Sequence, residues 1–293
     1  MLQTLPDEQK GGMSMALPEE PCTRVERYLA RLSGQNVDIP EYPITRIECY
    51  LDYLCGNGGG VPAPNAGAHN GVFRGQSLGT SFTSAQSQAI TAGTFEGLYV
   101  GDYWTIEGVI YRIAGLDYYY HRASVSGHHA VIVPDSSLYA TPINSEANWD
   151  GGYTGSEIKT QGLDRALALA REAFGEAHVI PRTEYLLSAS TSTGPSNWAQ
   201  TVTYIDLMTE GQVLGRGGFG TQNQNGYNIG ASAFQLPLFD LAPEFSVASP
   251  TSWFWLRDMC RSSYWTAISD TGNAVLRLPT NTTCGVRPMF LVA

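Results

Sequence analysis

The sequence predicts a mixed α+β protein in which a short helical repeat precedes one large domain, and three observations carry that expectation. Two copies of a capped helical segment begin 22 positions apart, at Pro21 and Pro43. A run rich in β-branched and aromatic residues covers 98–113, and one clearly amphipathic stretch covers 163–174. That order of elements fits a single α+β domain with large insertions better than alternating βαβ units. The expected boundaries are 1–56 for the repeat, 57–70 for a Gly/Pro linker and 71–293 for the main domain.

Each repeat copy reads as a short helix. Thr23 and Thr45 stand as N-caps with Glu26 and Glu48 three residues on, the spacing of a capping box, and Gly34 and Gly56 suit left-handed C-terminal caps. Val25, Tyr28, Leu29 and Leu32 form an apolar stripe that Ile47, Tyr50, Leu51 and Leu54 repeat. Helices of about ten residues are marginal alone. The stripes therefore bury against their own domain, or they serve docking or oligomerisation.

In the main domain Glu107-Gly108 reads as the tight turn of a hairpin spanning 98–113. Further strands are expected at Ala114–Tyr120 and His129–Val133, the latter stopped by Pro134. Leu163, Ala166, Leu167, Ala170 and Phe174 share one helical face, and Gly175 closes that helix. A short helix is expected near Thr183, including Tyr185, Leu186 and Leu187. From Ser188 to Ser252 the polar, glycine-rich composition reads as long loops with only short strands.

Charge and composition exclude several classes of partner. With 17 basic against 27 acidic residues the net charge is −10, and no Lys/Arg stripe is present to neutralise phosphates, so nucleic acid is not an expected partner. Only two lysines, Lys10 and Lys159, leave little polybasic character for anionic lipid, and no apolar run is long enough to span a bilayer. The first ten residues lack a basic region followed by an apolar run, which argues against a secretory signal and for synthesis in the cytoplasm. Five cysteines at irregular spacings read as thiols rather than as a disulfide framework or zinc site.

Catalytic and metal constellations are weak. His128 and His129 adjoin an expected strand, where neighbours face opposite sides and do not share a ligand, so no metal site and no cofactor is expected. Gly215–Gly220 lacks the Lys-Ser/Thr of a phosphate-binding loop. Cys260 and Cys284 have three readings: a bridge, a redox pair, or incidental small residues. The chain reads as a recognition protein, not an enzyme.

The C-terminal stretch carries the binding expectation. Residues 253–258 and 285–292 are apolar, each with one buried-looking arginine (Arg257 and Arg287), and read as paired scaffold strands. Between them, Thr266 to Cys284 shows neither helical nor alternating periodicity and reads as a surface loop on a rigid frame.

Trp255-Leu256-Arg257-Asp258, followed roughly thirty residues later by Gly285-Val286-Arg287-Pro288-Met289-Phe290, resembles the variable, tropism-determining proteins of diversity-generating retroelements in gut bacteriophages. Gly75–Gly79, Gly97–Trp104 and the paired Thr-Arg-(Val/Ile)-Glu-x-Tyr-Leu segments are similar to that group as well. The resemblance implies a C-type-lectin-like fold, related to formylglycine-generating enzymes, with a variable region at about 253–293. It brings no activity along, because a closely spaced C-terminal cysteine pair is absent from the sequence.

It also implies adenine-directed rewriting of Asn codons, which cannot yield Lys, Glu, Gln, Met or Trp. Those five types make up 41 of the 293 residues, yet none occurs from Thr266 to Cys284. Nineteen such absences in a row arise by chance about one time in twenty. Trp265 would then be scaffold.

The implied ligand-binding residues are Tyr264, Thr266, Ala267, Ser269, Asp270, Thr271, Asn273, Val275, Leu276, Arg277, Leu278, Thr280, Asn281, Thr282 and Thr283, with Tyr264 and Arg277 as anchors. Gly272, Asn273 and Ala274 have a second reading as fixed turn residues. The implied function is a tail-associated virion protein, made in the host cytoplasm, that binds a bacterial surface receptor. Its N-terminal helices would attach to other virion proteins, and a homotrimer would add avidity. The rival readings are a structural decoration protein and an enzyme that degrades host-surface polymer.

Overall fold

The computed structural model describes residues 24–32, 38, 66–147, 151–191, 194–215, 234–248, 252–261 and 264–293. Two compact units divide the chain, Met1–Ala63 and Pro64–Ala293. In the first, helix α1 (Arg24–Leu32) realises the first repeat copy, with Ala30 buried and Leu29 49% exposed. The second copy, the Thr23 cap and both closing glycines lie outside the described residues, as does the glycine-rich loop beyond Gly215.

The second unit opens with α2 (Ala66–Asn70), inside the stretch expected to be linker. Two polar side chains tie this short turn down. His69 is buried and stacks on Tyr99 at 4.3 Å, and Asn70 exchanges two hydrogen bonds with the Leu116 backbone, both at 2.7 Å. Next comes α3 (Ser84–Thr91), which begins at a Thr83/Gln86 capping box.

Strands β1 (Tyr103–Ile106) and β2 (Val109–Leu116) form the expected hairpin. Glu107 and Gly108 take φ values of 48° and 79°, the doubly left-handed turn that matches strand twist. There is no separate strand at 114–120, because β2 runs through a bulge after Ile113 to Leu116 and Asp117 then turns the chain at φ 55°. β3 (Ala130–Pro134), β5 (Val179–Ile180), β8 (Ile205–Leu207) and β13 (Pro288–Val292) complete a six-stranded antiparallel sheet, with β13 between β3 on one side and β5 and β8 on the other. Every residue of β3 and β13 is buried.

Helix α4 (Leu163–Phe174) follows a π-helical turn at Ile158–Gly162 and ends at Gly175, φ 90°. Its buried residues Leu163, Ala166, Ala170 and Phe174 are among those the periodicity selects. The helix expected near Thr183 is instead a strand. β6 (Arg182–Thr191) and β7 (Gly194–Thr203) form a hairpin with ten residues in each arm, so this part of the presumed loop region is regular structure. Two further short helices, α5 (Glu210–Leu214) and α6 (Pro237–Leu241), follow it, α5 from a Thr209/Gln212 capping box to a left-handed Gly215.

A second sheet of five strands has the order β11-β10-β9-β12-β4. It contains β4 (Tyr139–Ala140), β9 (Phe254–Arg261), β10 (Tyr264–Ile268), β11 (Ala274–Arg277) and β12 (Gly285–Val286). The two C-terminal apolar pieces are therefore not simply paired, since β9 meets β12 only at Phe254 and Gly285 and the chain then crosses to the other sheet as β13. Arg287 makes that crossing. It is fully buried, donates from Nε to the Pro134 carbonyl and from Nη1 to the Phe245 carbonyl, each at 2.7 Å, and lies over the Phe239 and Phe254 rings.

Both sheets separate two apolar clusters. Trp255, Met259, Trp265 and Ala267 face one, with Phe174 and Phe290, while Phe254, Leu256 and Ile268 face the other, with Phe239 and Leu291. Strands buried on both faces read as continuous apolar runs, as 253–256 does in the sequence.

Candidate ligand-binding face

The stretch from Tyr264 to Cys284 is a hairpin followed by a pinned loop. β10 pairs with β11 through Trp265↔Arg277, Thr266↔Leu276, Ala267↔Val275 and Ile268↔Ala274. Ser269 closes the tip. Its N–H donates to the Asn273 carbonyl at 2.9 Å, and its Oγ accepts from the N–H groups of Thr271 at 3.3 Å and Asn273 at 3.1 Å. Gly272, at φ 78°, supplies the left-handed residue that such a tip needs.

Beyond β11 the backbone is held from outside. The Pro279 carbonyl accepts from the N–H groups of Ile143 at 2.8 Å and Asn144 at 3.2 Å. Asn281 Oδ1 accepts from the N–H and Oγ1 of Thr283, both at 2.9 Å, and from the Cys284 N–H at 3.0 Å. This local turn leaves the side chains of Thr282 and Thr283 exposed.

These facts divide the fifteen expected contact residues. Tyr264, Asp270, Thr271, Asn273, Leu278, Thr282 and Thr283 are exposed, whereas Val275, Leu276, Arg277, Thr280 and Asn281 are half-buried. Thr266, Ala267 and Ser269 are corrections: all three are buried, the first two because β10 is an inner strand covered on both faces. Thr266 Oγ1 donates inward to the Asp258 carbonyl at 2.8 Å, and Ser269 is occupied by the tip. Trp265 is fully buried.

One further step along the register places Tyr264 beside Leu278, and these are 43% and 47% exposed. They make an apolar spot at the end of the hairpin opposite the polar tip Asp270–Asn273. Arg277 lies on the other face with its guanidinium 3.1 Å from the centre of the Trp253 ring. Its planar head is thus held in place.

Behind the face sits a buried charge network that the sequence did not reveal. Glu184 accepts from Arg182 Nε at 2.6 Å, from the Tyr119 hydroxyl at 2.7 Å and from Arg257 Nη2. Asp206 takes Lys159 Nζ at 2.6 Å and the Tyr153 hydroxyl at 3.2 Å. Burial raises both tyrosine hydroxyls far above their ordinary range. Every one of these acids is committed to a cation, so the network ties β6, β8 and β9 together rather than offering a free acid and base.

Elsewhere the candidate chemistry resolves into structural roles. His129 is buried; its Nε2 accepts from the Tyr119 N–H at 3.0 Å, its Nδ1 lies 3.2 Å from the Gly127 carbonyl, and burial lowers its pKa. His128 pairs with Asp117 at 2.7 Å and stacks on Tyr120. Among the described residues no three His, Cys, Asp or Glu side chains converge on a metal position. Neither Cys260 nor Cys284 is disulfide-bonded, and burial pushes Cys284 up to about 12. Asp102, within the Gly97–Trp104 motif, is a buried hub that accepts from Arg74 and from the backbone of Gln76 and Tyr99. Comparison with protein-family models, with curated proteins and with solved structures finds no match for this chain.

Proposed function

We propose that this chain is a receptor-binding protein of a bacteriophage virion, whose main domain is a C-type-lectin-like module carrying a retroelement-diversified surface. One observation carries the reading. Within a single hairpin and its following loop, the side chains that fix the backbone are separate from those that face solvent. Ser269, Asn281 and the buried strand residues hold the backbone, while Tyr264, Asp270, Thr271, Asn273, Leu278, Thr282 and Thr283 are exposed, with Thr271 and Thr283 bonding the side chains of Ser269 and Asn281 and Asn273 bonding that of Thr271. A surface built this way tolerates replacement of its contact residues without loss of the fold.

The partner in this reading is a bacterial surface receptor, with the N-terminal helices attaching the chain to other virion proteins, as a homotrimer. Sequencing this gene in sibling phages tests it. Substitutions should gather at the seven exposed positions and spare Thr266, Ala267 and Ser269. An invariant 264–284 segment amid ordinary drift elsewhere rejects the proposal.

A further inference from the structure

β11 is the outer strand of its sheet, and its register fixes which backbone groups are left over. The Ser269 N–H donates to the Asn273 carbonyl, so 269 and 273 form a hydrogen-bonded pair. Such pairs alternate with non-bonded ones along an antiparallel ladder. Following the register, Val275 and Arg277 turn their N–H and C=O groups inward to β10, whereas Ala274 and Leu276 turn theirs outward. Among the described residues neither Ala274 nor Leu276 makes a backbone hydrogen bond outside the sheet. Of the devices that blunt exposed edges, β11 has its shortness and the charge of Arg277, but no lysine, proline or bulge in its pairing with β10.

We propose that the β11 edge takes an extended polypeptide segment of a protein partner as an added strand. This rests on the recognition reading above and names the chemistry of what is recognised. Edge backbone groups select polypeptide over glycan, because only a strand offers N–H and C=O at the matching spacing. The flanking side chains define the rest. Leu276, Leu278 and Tyr264 share one face and suit apolar side chains of the incoming strand. Arg277, on the opposite face, is held over Trp253 and joins no ion pair among the described residues, so it suits a carboxylate. Backbone pairing does not depend on sequence, so it supplies affinity that survives when the neighbouring side chains change.

The test uses the full chain and the probe peptide acetyl-Thr-Val-Asp-Val-Thr-Val-amide, with two relatives N-methylated at alternate residues in either phase. The unmodified peptide should slow amide exchange at Ala274 and Leu276 at least about tenfold. One methylated phase should bind about tenfold more weakly, and the other should bind unchanged. No slowing at millimolar peptide, or equal binding by both methylated phases, overturns the proposal. So does slowing that appears with chain concentration alone, which marks a second copy as the occupant.

A cell-binding assay on gut bacterial isolates separates this inference from the one beneath it. Leu276→Pro removes an outward N–H at an edge position where proline is tolerated, and its folding is checked by its melting temperature. It should lose cell binding as Tyr264→Ala does. If Leu276→Pro binds normally while Tyr264→Ala does not, edge pairing fails and the recognition reading stands. If neither matters, the recognition reading fails.

Discussion

Asp258 accepts from the Glu210 N–H at 2.5 Å, and burial pushes its carboxyl up to about 6, against the opposing pull of that bond and of Arg257. A cavity of about 20 Å³, room for about one water, adjoins it beside Tyr153, Thr209 and Arg257. In the unfolded chain an aspartate titrates near 4. Between the two values the folded state keeps a proton that the unfolded state has released, so stability is lost as the pH rises from about 4 to about 6. Asp258→Asn retains an acceptor for Glu210 and removes that loss. It should leave stability unchanged at pH 4 and raise it by about 1–3 kcal/mol at pH 7.5. Denaturant unfolding at the two pH values reads this out, and an equal gain at both rules out titration as the cause.

At the scale of elements, β6 shows why part of the fold was hidden in the sequence. Its buried face begins Arg182, Glu184, Leu186, so the alternation is present but two of its inward residues are charged. A pattern read in apolar residues alone sees only Tyr185, Leu186 and Leu187 and suggests a helix. The hairpin at 103–116 and helix α4 were legible because their signals are local, an Asp/Glu-Gly type of turn in one and a periodic apolar face in the other. Which residues of the proposed contact face are exposed was not legible, because covering β10 on both sides erases its period. Glu184 holds two buried arginines, so Glu184→Gln should cost about 3–5 kcal/mol, as breaking buried ion pairs does. Thermal melts check it, and a neutral result would mean that water already solvates the pair. At the hairpin tip Ser269→Ala removes the acceptor for two N–H groups. The expected cost is about 1–2 kcal/mol, against a near-silent Thr271→Ala, and equal melting temperatures for the two would show that Ser269 is not frame.

Over the main domain as a whole, buried strand β13 and the proposed contact residues, which apart from Tyr264 lie in a turn and a loop, belong to the same C-terminal segment. β13 is held between β3 on one side and β5 and β8 on the other, and its Phe290 meets Phe174 at 5.5 Å and Tyr111 at 6.1 Å between ring centres. Removing such a side chain leaves a cavity where neither sheet nor helix can close in, so Phe290→Ala should cost about 3–5 kcal/mol, a large share of the roughly 5–15 kcal/mol that holds a domain together. None of the exposed set belongs to either apolar cluster. Replacing Asp270, Thr271, Leu278, Thr282 and Thr283 together, with serine or alanine, should move the melting temperature by less than about 3 °C, although five side chains change instead of one. The comparison is decisive because both alterations fall within 25 residues of each other in the chain, from Asp270 to Phe290. If the fivefold variant melts as early as Phe290→Ala, the exposed residues are part of the core's support and the surface has no freedom to vary. If it melts with the parent, the last thirty residues contain a frame that sequence change cannot reach and a face that it can.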